Sequence, residues 1–315
     1  MNSAFLIVIK AICIMRASQL SFLASEKNLL SGTIVALLAL LYGPVLFHWY
    51  DGWLNKSVGI EHEYFSHGLI GLPYAAYIVW LNRREWQSLP DRSHPAGAFL
   101  LALGAVFYLA GTSLWVNLSF PIVLTGLCLW LKGREGLKLQ GFPLLLTALA
   151  TPNPIPYLIT PYTLPLQVFI AGCSGFLLQQ AGFNVSVDGI YLAVEGRMVE
   201  VAPYCAGLKM LFTSLYVTLM LLHWTNTLGD GRKVRLLLAS AFAISIGANV
   251  VRNALLAWFH GTGQDKNFEL LHDSWGGDLY SVMMLLTIVL VFQIVQYREA
   301  TRRSISPVEV NSGDE

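Results

Sequence analysis

Three residues in the second half of the chain have side chains that together could carry out acyl transfer, and each lies towards the end of an apolar run. Cys205 lies in Val199-Glu200-Val201-Ala202-Pro203-Tyr204-Cys205-Ala206-Gly207-Leu208-Lys209. Pro203 suits the first turn of a helix, where its missing N–H would be unpaired anyway. That spacing predicts Cys205 in a first helical turn, where unpaired N–H groups and the helix dipole favour a thiolate. Lys209, four residues on, then shares its face. Arg252 sits in Asn249-Val250-Val251-Arg252-Asn253, inside an apolar run and about 10 Å below its end at 1.5 Å per residue. An arginine there costs at least about 2.5–3.5 kcal/mol to insert, so it pairs or works. His272 opens His272-Asp273-Ser274-Trp275-Gly276-Gly277, just ahead of another apolar run. A thiolate can attack an acyl carbonyl, an imidazole can exchange the proton with a leaving amine, and a guanidinium can offer planar donors to an oxyanion.

These residues need a scaffold, and composition says which kind. Of 315 residues, 55% are hydrophobic and 12% charged, with mean hydropathy +0.56. Soluble domains carry about 25% charged residues, so the chain reads as an all-α integral membrane protein. Apolar runs at about 29–47, 66–81, 96–112, 115–131, 139–157, 206–223, 236–259 and 279–296 give about eight transmembrane helices. Residues 1–28 read as an N-terminal cytoplasmic or interfacial segment. Residues 1–23, interrupted by Lys10 and Arg16, are read as an interfacial helix rather than a first span or a cleavable signal peptide. Residues 29–296 read as one polytopic domain, and 297–315 as a polar cytoplasmic tail.

Basic residues orient the spans. Lys10, Arg16, Lys27, Arg83, Arg84, Arg92, Lys132, Arg134, Lys138, Arg232, Lys233, Arg235, Arg298, Arg302 and Arg303 all fall on one side. Lys56, Arg197 and Lys266 fall on the other. The positive-inside rule places both termini in the cytoplasm and Cys205 and His272 on the extracytoplasmic face of the cytoplasmic (inner) membrane. Between spans five and six the chain is long. Thr151-Pro152-Asn153-Pro154-Ile155-Pro156 ends a helix, and residues 163–181 read as an interfacial helix in preference to a ninth span. Residues 184–200 alternate around Asp188-Gly189 and Glu195-Gly196, the pattern of a small extracytoplasmic β-hairpin of two or three strands. Four cysteines without paired or metal-like spacing point to no disulfide framework, no metal and no cofactor. A net charge of +1 gives no sign of a nucleic-acid partner.

The motifs around Cys205, Arg252 and His272, in that order, resemble the exosortase/archaeosortase family of membrane cysteine transpeptidases. Tyr64-Phe65-Ser66-His67-Gly68-Leu69-Ile70 with Leu81-Asn82-Arg83-Arg84 resembles the family's early Ser-His-Gly segment and arginine-rich turn. The wording Val-Ala-Pro-Tyr-Cys-Ala-Gly-Leu-Lys is similar to its cyanobacterial branch. The resemblance covers about 45 to 296. It implies Cys205 as nucleophile, Arg252 as oxyanion or thiolate partner and His272 as acid/base. Lys209, Asn249, Asp273, His67 and Ser66 are then the candidates for substrate binding or support. The implied partners are exported proteins ending in a Pro-Glu-Pro-like motif, a hydrophobic helix and a basic tail, with the lipid bilayer around them. The implied acceptor is an amine or a lipid head group. The chain departs from the family's usual Ala-Cys-Ser-Gly-Leu-Arg: Ala206 stands where serine is more frequent, and Asp273 where glutamate is. Gly172-Cys173-Ser174-Gly175 matches those letters more literally, but it lies midway along an apolar helix without a basic neighbour. Two other readings use the same residues. One is a membrane acyl or glycan transferase working through His272 and Asp273. The other is a transporter with Arg252 binding an anion.

Overall fold

The computed structural model describes residues 29, 32–54, 64–272 and 274–305, with side chains as far as Arg298. Asp273, the segment 1–23 and the last ten residues lie outside that set. Residues 1–51 form a unit of their own, and residues 52–315 form the second. Helix α1, Gly32–Leu54, supplies the described part of the first and is apolar over a membrane's thickness.

In the second unit the chain runs through α2 (Gly68–Leu81), the short α3 (Arg83–Ser88), α4 (Pro95–Leu109) and α5 (Ser113–Ala150). Glycine at the contacts lets α4 lie flat along the first half of α5. A Cβ on Gly97 would fall 2.5 Å from the Trp130 nitrogen, and one on Gly126 would fall 3.0 Å from the Leu101 nitrogen. Small residues are how membrane helices pack closely when lipid is as apolar as leucine. Helix α5 holds two of the expected spans, which turn at Gly133 (φ 63, ψ −149) and fold back on each other: Asn117, near the start, donates to the Pro152 carbonyl, just past the end, at 3.3 Å. Lys132 fastens the turn by donating to the Leu89 carbonyl and to Asp91, both at 2.7 Å.

Five described helices are long and apolar enough to cross a membrane, or six if one bent pair is a single span. The expected eight runs exceed this because α2 and α4 have 14 and 15 residues and the two halves of α5, continuous through Gly133, count once. The bent pair is α6 (Ile155–Ile159) with a 3₁₀ turn to Tyr162, followed after 64° by α7 (Leu164–Gln180), which was expected as an interfacial helix. Three strands follow, one more than a hairpin: β1 (Val185–Asp188), β2 (Tyr191–Val194) and β3 (Arg197–Glu200), an antiparallel meander. The register pairs Val185 with Val194 and Tyr191 with Glu200, across two-residue connections. Glu195 (φ 50) and Gly196 (φ 84) make the second connection, in the left-handed pair that suits a tight hairpin.

The chain then enters α8 (Leu208–Trp224), α9 (Gly231–Gly261), α10 (Asp265–His272) and α11 (Trp275–Ile305). Helix α11 continues nine residues past the expected end of the last span at 296. Helix α9 is the hub, packing against α7, α8, α10, α11 and the sheet. Its C-terminal half closes a core in which Ile170 and Ala171 of α7, Leu192 and Val194 of β2, Val250, Ala254 and Ala257 meet Cys205. A second core joins α2, the far half of α5 and α8 through Ala75, Ile78, Leu146, Ala150 and Tyr216.

Candidate functional site

Cys205 is delivered by a backbone fixed on both sides. Val201, 1% exposed, donates its N–H to the Ile190 carbonyl at 2.9 Å, and its own carbonyl accepts from Gln167 Nε2 of α7 at 2.8 Å. The next residues, Pro203–Ala206, form a 3₁₀ turn in which the Cys205 N–H donates to the Ala202 carbonyl at 2.8 Å. Gly207 follows with φ 86, and only then does α8 begin. This differs from the expected first helical turn. The left-handed residue between them breaks the i,i+4 relation, so Lys209, half-buried in the first turn of α8, does not share a helical face with Cys205.

Residues on α9 hold that turn. Asn249 Nδ2 donates to the Cys205 carbonyl at 3.0 Å, and Asn253 Nδ2 donates to the same oxygen at 3.1 Å. A Cβ on Gly207 would lie 2.6 Å from the Asn249 amide, so only glycine lets the chain pass this close. Arg252, between the two asparagines, reaches the other way. Its Nη2 donates to the Leu271 carbonyl at 3.3 Å, at the end of α10, while its Nε is buried without a hydrogen-bond partner.

His272 is the last residue of α10, half-buried, with Nε2 3.7 Å from Cys205 Sγ. That is within hydrogen-bond range for sulfur, and catalytic contacts are often long before substrate binds. Phe268, one turn earlier, stacks on the imidazole at 5.2 Å and 9°, and Tyr204 meets it edge-on at 6.4 Å. Gly276 and Gly277 let α11 start directly against α10: a Cβ on either would fall 2.6 and 2.8 Å from the Leu270 and Leu271 carbonyls. On the solvent side Arg197 of β3 ties down the start of α10, donating to the His260 carbonyl at 2.8 Å and reaching Asp265 at 3.3 Å.

Cys205, Arg252, His272 and Asn249 therefore converge from three elements far apart in sequence. His67 and Ser66 are placed elsewhere, in the turn ahead of α2. His67 is 4% exposed, donates from Nε2 to the Leu149 carbonyl at 3.1 Å and packs on the Tyr216 ring at 4.4 Å. These contacts join α2, α5 and α8. Ser66 is half-buried beside it. Cys173 lines an apolar hollow between α7 and α9 with Phe169, Phe176, Phe242 and Ile246. Asn253 and Phe268 had no assigned role in the sequence. Phe268 is four residues before His272, the spacing of stacked side chains on a helix, and that was the available signal. Among the described residues, no three His, Cys, Asp or Glu side chains come together to hold a metal ion.

A family model described as transmembrane exosortase matches residues 53–289, which includes every residue of this site. No curated protein and no solved structure matches the chain.

Proposed function

The chain belongs to the transmembrane exosortase family of membrane cysteine transpeptidases, and on that premise we propose that it sorts exported proteins by exchanging their C-terminal signal for an acceptor. The observation that carries the reading is the approach of Cys205 Sγ to His272 Nε2 at 3.7 Å. The substrate's hydrophobic helix lies in the bilayer and its signal motif is level with Cys205, on the extracytoplasmic face. The thiolate bonds to the scissile acyl carbon as the C–N bond breaks, and the His272 imidazolium gives its proton to the departing amine. The upstream protein remains as a thioester. An amine or hydroxyl of the acceptor, such as a lipid head group, then attacks the same carbon and surrenders its proton to His272 as the C–S bond breaks. Arg252 Nε, buried and without a partner, is the donor left over for the transient oxyanion.

In membranes holding a cognate substrate, Cys205→Ala abolishes tail removal, and a thioester on Cys205 is recovered by mass spectrometry from the unaltered protein. Cys173→Ala, in the apolar hollow, leaves processing intact. Normal tail removal by Cys205→Ala would sink the proposal. Loss of turnover in His272→Ala together with full activity in Cys205→Ser would instead select a transferase that uses the histidine alone.

A further inference from the structure

One five-residue stretch of α9 touches both halves of the reacting pair, and it does so through main-chain carbonyls. Asn249 and Asn253 donate to the carbonyl of Cys205, and Arg252 donates to the carbonyl of Leu271, the residue before His272. From this geometry we infer that Asn253, with Asn249, is a positioning residue that keeps the nucleophile at the imidazole. The inference rests on Cys205 being that nucleophile.

A peptide group is planar, so pinning the Cys205 oxygen fixes the whole plane of the Cys205–Ala206 bond. With the Cys205 N–H also held on the Ala202 carbonyl at 2.8 Å, Cβ is placed as well, and what remains for Sγ is rotation about χ1, with three staggered positions. The pinning is thorough. The Asn253 amide uses both its hydrogens, one on Cys205 and one on the Asn249 carbonyl at 2.9 Å. Asn249 is 1% exposed, and its Oδ1 is buried without a partner. Turning that amide over would satisfy nothing and would set oxygen against oxygen, so the Cys205 carbonyl alone dictates its orientation. Two buried amides in an apolar helix are costly unless they are used. Here they are spent on one oxygen. Because the two pinned carbonyls hang from residues within a single turn and a half of one helix, the Cys205–His272 spacing is set by a rigid element and not by the loops that carry the two side chains.

The test reads Cys205 directly and needs no sorting substrate. Full-length protein in membranes is treated with iodoacetamide, and alkylation of the Cys205 peptide is timed by mass spectrometry. Each rate is divided by that of the unaltered protein at the same pH, so that whatever titrates in the parent site cancels. Asn253→Ala lowers the ratio on the order of 10-fold at every pH. Where tail removal can be assayed, it lowers kcat by about 10- to 100-fold with KM unchanged, the scale of a displacement near 1 Å. Asn253→Asp behaves like alanine at pH 8, where the introduced carboxylate cannot donate, and its ratio climbs as the pH falls and the protonated acid donates to the Cys205 carbonyl. A lost structural contact would not produce that climb in a folded protein. Wild-type ratios in either folded variant overturn the inference. If Asn253→Ala fails to fold, a ratio for Asn253→Asp that stays flat with pH overturns it. If the ratios behave as expected but the unaltered protein never removes a tail, the sorting role fails and the positioning role stands.

Discussion

Replacing Gly207 by alanine isolates the close passage on which the site depends. Two costs add at this position. Gly207 sits at φ 86, ψ 11, and a side chain in the left-handed region costs about 1–2 kcal/mol. The new Cβ also falls 2.6 Å from Cγ and Nδ2 of Asn249, an amide 1% exposed with no room to retreat. Displacing it loses a buried hydrogen bond to the Cys205 carbonyl, worth about 0.5–1.5 kcal/mol net. The sum is roughly 1.5–3.5 kcal/mol. Gly196→Ala supplies the control, because Gly196 has nearly the same φ, 84, with nothing within 4 Å of the added Cβ. It carries the conformational cost alone. Both variants are unfolded from mixed micelles by titration with dodecyl sulfate, followed by tryptophan fluorescence, and Cys205 alkylation is timed in parallel. Gly207→Ala loses about 1 kcal/mol more than Gly196→Ala, and only Gly207→Ala slows the thiol. In an Asn249→Ala background the excess shrinks, since the obstructing amide has gone and only Cβ, 3.0 Å away, remains; coupling between contacting residues is typically about 0.5–3 kcal/mol. Equal destabilisation by the two glycine variants, or an unchanged excess without Asn249, would refute the reasoning.

Two further outcomes follow from contacts around the site and at the far end of α9. Phe268→Leu removes the ring that lies flat on His272; it costs about 0.5–1.5 kcal/mol of stability and lowers kcat for tail removal more than it raises KM, which steady-state kinetics on one substrate will separate. Asp230 caps α9, accepting from the N–H groups of Lys233 and Arg232 at 3.2 and 3.1 Å. The Lys233 N–H foremost, then that of Arg232 and the Lys233 charge, hold its carboxyl below the usual range. A depressed folded-state value means the contribution is present above the unfolded pKa and is lost as the pH falls through the folded one. Asp230→Asn, an equally good cap without a charge, therefore flattens the acid limb of a melting-temperature profile while leaving neutral pH nearly unchanged. An acid limb identical to that of the parent would contradict this.

Much of the site was legible as separate local signals. Pro203 before Cys205, an arginine inside an apolar run and a histidine ahead of another are each visible in a single window, because helix starts and membrane spans are short-range patterns. Hydropathy and the two Gly turns likewise located most helices and the small sheet. What a window misses is length compared with neighbours. Lys132, Arg134 and Lys138 mark the turn between two spans, and the chain does reverse there, but a window cannot show that the turn is a single left-handed glycine with Lys132 tied back onto Asp91. The first turn expected at Cys205 failed for a related reason. Its backbone runs into a left-handed Gly207, where the proximity of Asn249, 42 positions away in the chain, leaves no space for a side chain.

Residue types and their order by themselves determined that this is a helical membrane protein of the exosortase kind, with a cysteine, an arginine and a histidine available for acyl transfer. Only the tertiary structure decided how those residues are held. His67, as suggestive in sequence as His272, is buried between α2, α5 and α8, while Asn253, silent in sequence, grips the nucleophile's carbonyl. The physical reason is that a side chain's chemistry is written in its own atoms, whereas its position is the sum of contacts made by other parts of the chain. At this site those contacts end on backbone oxygens, which every residue has and which no sequence pattern can mark.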